Sequence, residues 1–197
     1  MPGVPGLTRT AVAETGGEDG RRAARTLARR LVTEATGHAD VRFTQVCAQC
    51  GGPHGRPTVV GGDAHVGWSH TAGLVAAVVA DAPCAIDVES LPRVRERDLP
   101  LDLLATDERA WVAAQPDAAR AFAELWVRKE VLVKLGEVTL DEALGLDVLA
   151  ALSGEPVLGH TLVPLDVTPY DAVGAWAVAA TAPAASTPTT TRSRSRG

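Results

Sequence analysis

The chain has no long hydrophobic run, no disulfide framework and no excess of positive charge, and each absence removes a class of protein. Its longest apolar run, Ala72 to Ala80, is far too short to span a bilayer, so no membrane association is expected. The opening nine residues lack the basic-then-apolar plan of a signal peptide. There are only three cysteines, an odd number that makes no disulfide scaffold, and a reducing cytoplasm is the expected compartment. A net charge of -5 with no basic stripe gives no reason to expect a nucleic-acid partner. Neither a Gly-x-x-x-x-Gly-Lys-Ser/Thr loop nor a kinase signature occurs. What is present is 197 residues with 46% apolar content, enough for one sizeable core or two small ones.

The most informative stretch is Trp126-Val127-Arg128-Lys129-Glu130-Val131-Leu132-Val133-Lys134. With the preceding Ala118 to Leu125 it reads as one helix, because Ala, Leu, Glu, Arg and Lys dominate it. Phe122, Leu125, Leu132 and Val133 recur at core-facing spacing, while Trp126, Glu130 and Lys134 stack on a neighbouring face. Gly136 stands where a C-terminal cap belongs. Taken alone, such a Glu-Lys pair is more often a surface ion pair. Upstream, Asp87 and Glu89 alternate with Ile86 and Val88, so in a strand both carboxylates leave one face. Two strand carboxylates about 7 Å apart, joined by Glu130, make a hard oxygen site suited to Mg²⁺. The bland alternative is an amphipathic strand with a solvated acidic face.

In chain order, residues 1–17 are rich in Gly, Pro and Thr and read as a loose arm. A helix is expected over 18–36, with Ala23, Leu27, Leu31 and Val32 inward, arginines including Arg25 outward, and Gly37 ending it. Residues 41–46 alternate like a short strand and lead into Cys47-Ala48-Gln49-Cys50-Gly51-Gly52-Pro53-His54-Gly55-Arg56-Pro57. Structural zinc wants four ligands, and the other cysteine, Cys84, lies 34 residues on in an apolar strand. The segment therefore reads as a turn presenting His54 and Arg56. Ser69 and His70 are adjacent on an extended segment, point to opposite sides, and make no Ser-to-His relay. Leu74 to Ala80 is a buried strand turning at 81–83 into the Asp87 strand. Residues 90–100, carrying Arg93, Arg95 and Arg97, read as an exposed loop, and 101–114 as helical with Thr106 a break or cap. Strands are expected over 145–152, 157–167 and 175–180, then a disordered basic tail over 181–197. The fold class is α+β.

Asp87-Val-Glu89, 40 intervening residues, then Glu130 with Lys134 one turn on, resembles the signature of the 4′-phosphopantetheinyl transferases. The likeness is to the larger monomeric type acting on polyketide and nonribosomal-peptide synthetases. Gly55-Arg56-Pro57 and Ser69-His70 are similar to two further segments of that family, in its order. Ala85 stands where the family usually has Gly, and Val127 and Val131 replace small or hydroxyl residues.

The resemblance implies two similar α+β halves, residues 18–85 and 86–180, in a pseudo-twofold arrangement around a cleft. It implies Mg²⁺ on Asp87, Glu89 and Glu130, with Glu130 and Lys134 catalytic. It also implies coenzyme A phosphates near Arg56, Ser69 and His70, with Arg25 and His54 as weaker candidates. The activity implied is transfer of 4′-phosphopantetheine from coenzyme A to a carrier-protein serine. A coenzyme A-binding protein without transfer, or another Mg²⁺-dependent phosphoryl-transfer enzyme, is the alternative. Lys129 reads as a packed stem with its charge at the rim. An acidic carrier is expected beside Arg93, Arg95 and Arg97.

Overall fold

The computed structural model describes residues 6–47, 50–53 and 55–179. In chain order it contains β1 (Thr8–Glu14), α1 (Gly20–Thr36), β2 (Phe43–Gln45), β3 (Pro57–Val59), β4 (His65–Thr71), β5 (Leu74–Ala80) and β6 (Cys84–Ser90). These are followed by α2 (Leu91–Arg95), α3 (Thr106–Ala113), α4 (Ala118–Leu135), α5 (Leu140–Gly145), β7 (Val163–Pro164) and β8 (Ala172–Val178). Short 3₁₀ turns occupy 101–103, 149–153 and 168–170. The chain is α+β, with two antiparallel sheets ordered β1-β5-β4-β3-β2 and β6-β8-β7.

β5 explains the layering, because all seven of its residues are buried. Val75, Ala77 and Val79 meet the apolar stripe of α1 (Ala24, Leu27, Leu31), while Leu74, Ala76 and Val78 meet Ile86 and Val88 of the second sheet. A strand covered on both faces reads as a continuous apolar run, which is what residues 74–80 are. α4 covers the other face of the second sheet through Phe122, Leu125, Val131 and Leu132 against Ala85, Val173 and Ala175. Each buried Val, Leu, Ile or Phe side chain among these contributes about 1.5–3 kcal/mol.

The helix ends follow their caps. Asp19 and Asp117 accept the amides of Arg22 and Arg120 at the starts of α1 and α4. Gly37 and Gly136, at φ 76° and 77°, end the same helices in the left-handed region.

Several sequence expectations are corrected. Residues 8–14, expected within a loose arm, pair with the whole of β5, because that apolar strand would otherwise expose an edge. Residues 145–152, expected as a strand, end α5 and enter a 3₁₀ turn, since the Val148 amide is taken by the Glu108 carboxylate. Over 157–167 only Val163–Pro164 is strand, with an isolated bridge between Val157 and His160. Residues 91–95 are helical, and Arg95 is tied down by Asp117 at 2.7 Å and Asp171 at 3.0 Å. The tail at 181–197 and His54 lie outside the described residues. Among the described residues no helix is long and apolar enough to cross a membrane.

Candidate active site

β4 and β6 approach closely where the two sheets meet. A Cβ built on Gly67 would lie 3.2 Å from the Ala85 Cα, so glycine is what lets these strands pack. Two residues further along each strand, Ser69 Oγ donates to Asp87 Oδ1 at 2.7 Å. Two further again, Thr71 Oγ1 donates to Glu89 Oε2 at 3.3 Å.

The alternation of β6 turns Asp87 and Glu89 toward α4, as its spacing predicts. α4 presents Glu130 and Lys134 to them. The Lys134 ammonium lies 2.5 Å from Asp87 Oδ1 and 3.4 Å from both Ser69 Oγ and the Ile86 carbonyl. Asp87 Oδ2 is buried, with no hydrogen-bond partner among the described residues. Burial raises the Glu89 carboxyl above its ordinary value, and the Asp87 and Glu130 charges push it the same way against the pull of Thr71 and Lys134. Burial also raises Glu130, with Asp87 adding to it and Lys134 opposing. Three acids thus share one partly buried space with a single lysine, an arrangement that a further cation would relieve.

Among the described residues no three acidic, imidazole or thiol groups are already drawn into a metal cage. The donor set nevertheless fits a hard divalent cation: it is all carboxylate oxygen, it carries excess negative charge, and it includes an orphaned buried oxygen.

The expected phosphate contacts leave different elements. Ser69 faces Asp87, while His70 faces the other way, its ring beside Gly20 at the start of α1. Arg56 lies over the last turn of α4, its Nε donating to the Lys134 carbonyl at 3.4 Å. The Arg25 guanidinium sits 5.8 Å from the Trp68 ring centroid. A cavity of about 830 Å³ runs from His70, Thr71 and Glu89 past Arg93 and Arg97 to Phe122 and Trp126. Phe122 and Trp126 stack with centroids 6.4 Å apart, and they continue the Glu130-Lys134 stripe of α4 into this cavity.

Lys129 is corrected most sharply. It is fully buried, 2.9 Å from the equally buried Glu108, and it donates to the carbonyls of Ala143 and Leu146. Its charge is therefore central, not at a rim. Glu108 was missed because, in the first turn of α3, it looks like a helix-start acid, and its Oε2 does accept the Ala105 amide. Thr71 was missed as well, although its i+2 spacing from Ser69, matching that of Asp87 and Glu89, was visible in the sequence.

Cys84 is buried in β6, and burial pushes its thiol up to about 12, which keeps it out of thiolate chemistry at neutral pH. Cys47 is half-buried and Cys50 exposed, at the turn after β2.

Residues 83–158 match the 4′-phosphopantetheinyl transferase superfamily. The match includes Asp87, Glu89, Lys129, Glu130 and Lys134, but ends short of Arg25, Arg56, Ser69 and His70. No curated protein matches the chain.

Proposed function

We propose, for a chain whose residues 83–158 form a domain of the 4′-phosphopantetheinyl transferase superfamily, that it transfers 4′-phosphopantetheine from coenzyme A to a carrier-protein serine. The observation that carries this reading is the acid cluster of Asp87, Glu89 and Glu130 facing Lys134, with one Asp87 oxygen left bare.

Asp87, Glu89 and Glu130 would hold Mg²⁺, which when bound supplies charge neutralisation to the coenzyme A pyrophosphate. Glu130, on α4 beside Asp87 and Lys134, is the proposed acceptor of the serine hydroxyl proton. The serine oxygen forms a bond to the phosphorus bearing pantetheine, the pyrophosphate bridge breaks, and 3′,5′-ADP leaves with the bridging oxygen. Lys134 stabilises that departing phosphate. Arg56 and His70 are the proposed contacts to the nucleotide phosphates, with Arg25 and His54 as further cations and imidazoles on the same half.

The two sheets, each carrying one long helix, are read as the halves of a pseudo-twofold enzyme acting as a monomer in the cytoplasm. The carrier class is that of polyketide and nonribosomal-peptide synthesis. Arg93 and Arg97, on the cavity wall, are the proposed contacts to its acidic surface; Arg95 is already engaged by Asp117 and Asp171.

The test is intact-mass analysis of apo carrier proteins incubated with coenzyme A and Mg²⁺. The expected result is addition of one phosphopantetheine, lost in EDTA. Glu130→Gln, which removes the proton acceptor and one cation ligand together, should slow transfer at least about 100-fold, the range general-base loss alone would give. Near-normal turnover by that variant would sink the assignment.

A further inference from the structure

Ser69 and Thr71 are placed as though for Asp87 and Glu89. Each hydroxyl lies 18 positions before the carboxylate that it meets, so β4 and β6 run in matched register with two hydroxyl-carboxylate rungs. The back of each hydroxyl is also occupied. Lys134 Nζ donates to Ser69 Oγ at 3.4 Å, and the Ser90 amide donates to Thr71 Oγ1 at 3.2 Å. A hydroxyl has one proton to give, so a donor behind it turns that proton toward the carboxylate in front. Ser69 is 6% exposed and its hydroxyl is committed on both sides, which leaves it poorly placed to meet a nucleotide phosphate. Asp87 is gripped through Oδ1 by Ser69 and Lys134, and its unpartnered oxygen is Oδ2.

We propose that β4 is the positioning strand of the acidic site: Ser69 and Thr71 hold Asp87 and Glu89 by one oxygen each, presetting them for the cation, and Ser69 does not bind the nucleotide. The inference rests on the metal-dependent reading given above. Ser69 and Thr71 are positioning residues, acting only through the two acids. Gly67 belongs to the same device, because a side chain there would push β4 away from β6 and lengthen both rungs.

The decisive measurement is Mn²⁺ affinity of the full chain, by water-proton relaxation with coenzyme A present, beside coenzyme A affinity in EDTA. Ser69→Ala should weaken Mn²⁺ binding by about 10- to 100-fold, the usual cost of losing an outer-shell partner. Ser69→Thr should restore most of it. Thr71→Val, acting on the longer bond, should show a smaller loss of the same kind, and it carries the test alone if Ser69→Ala does not fold. Coenzyme A affinity in EDTA should not change in any of them. Unchanged Mn²⁺ affinity in both Ser69→Ala and Thr71→Val overturns the proposal, as does a Ser69→Ala loss confined to coenzyme A binding in EDTA. A wild-type protein that binds no Mn²⁺ at all overturns the metal reading itself, and this proposal with it. Wild-type binding with unaffected variants overturns only this one.

Discussion

α4 carries two lysine-carboxylate pairs, five residues apart, that are built to opposite ends. Lys129-Glu108 is sealed. Neither side chain is exposed, the ammonium also reaches two carbonyls, and the carboxylate also takes the amides of Ala105 and Val148. All three ammonium protons and both carboxylate oxygens have a partner, and the pair ties α3, α4, α5 and the 149–153 turn together. Lys134-Asp87 is open. Its lysine is about one-third exposed, one Asp87 oxygen has no partner, and two further acids crowd the same space. A satisfied buried pair has nothing left to offer a ligand; an under-satisfied one at a cleft does.

The largest expected effect comes from breaking the sealed pair. Lys129→Ala should destabilise the fold by about 3–5 kcal/mol, because it strands a buried carboxylate. Urea denaturation would measure it, and added Mg²⁺ should recover none of the loss. A stability within about 1 kcal/mol of wild type would mean that the pair is dispensable.

Breaking the open pair should cost less and behave differently. Lys134→Met should destabilise the metal-free protein by about 1 kcal/mol, as expected for a partly solvated pair. Here the divalent cation should restore stability, since it takes over the neutralisation of Asp87. Metal affinity should rise as a competing cation is removed, while transfer slows through kcat more than KM. Equal rescue of both lysine variants by metal, or of neither, would erase the distinction drawn between the pairs.

The smallest effect is a pH dependence. Burial and Asp87 raise Glu130 above the ordinary 4.5. A carboxyl raised in the folded state adds stability below its unfolded value and loses that contribution as pH rises through the raised one. In EDTA, Glu130→Gln should therefore match wild type in mild acid and become the more stable protein as pH rises to neutral. Thermal unfolding across that range would measure the difference. A Gln variant that loses ground with rising pH would show that Glu130 is better stabilised charged than neutral. The same substitution should nearly abolish transfer, so function and metal-free stability pull against each other at this position.

The two long helices, the glycines that end them, and the buried run of β5 were legible in the sequence, because local hydrogen bonding and burial on one face set them. The faces from which Asp87, Glu89, Glu130 and Lys134 leave their own elements were legible too, since alternation in a strand and the i,i+4 relation in a helix are properties of spacing alone. Residues 8–14 carry too weak a pattern to read as a strand by themselves; the exposed edge of β5 makes them one. That Lys129 is internal while Lys134 is open depended on where Glu108 landed, 21 positions earlier on another helix. That Ser69 meets Asp87 depended on how closely β4 could approach β6 across Gly67. Spacing determines which way a side chain leaves its own element. Only the packing of elements distant in sequence decides what it meets, and therefore whether a charge is sealed or left available.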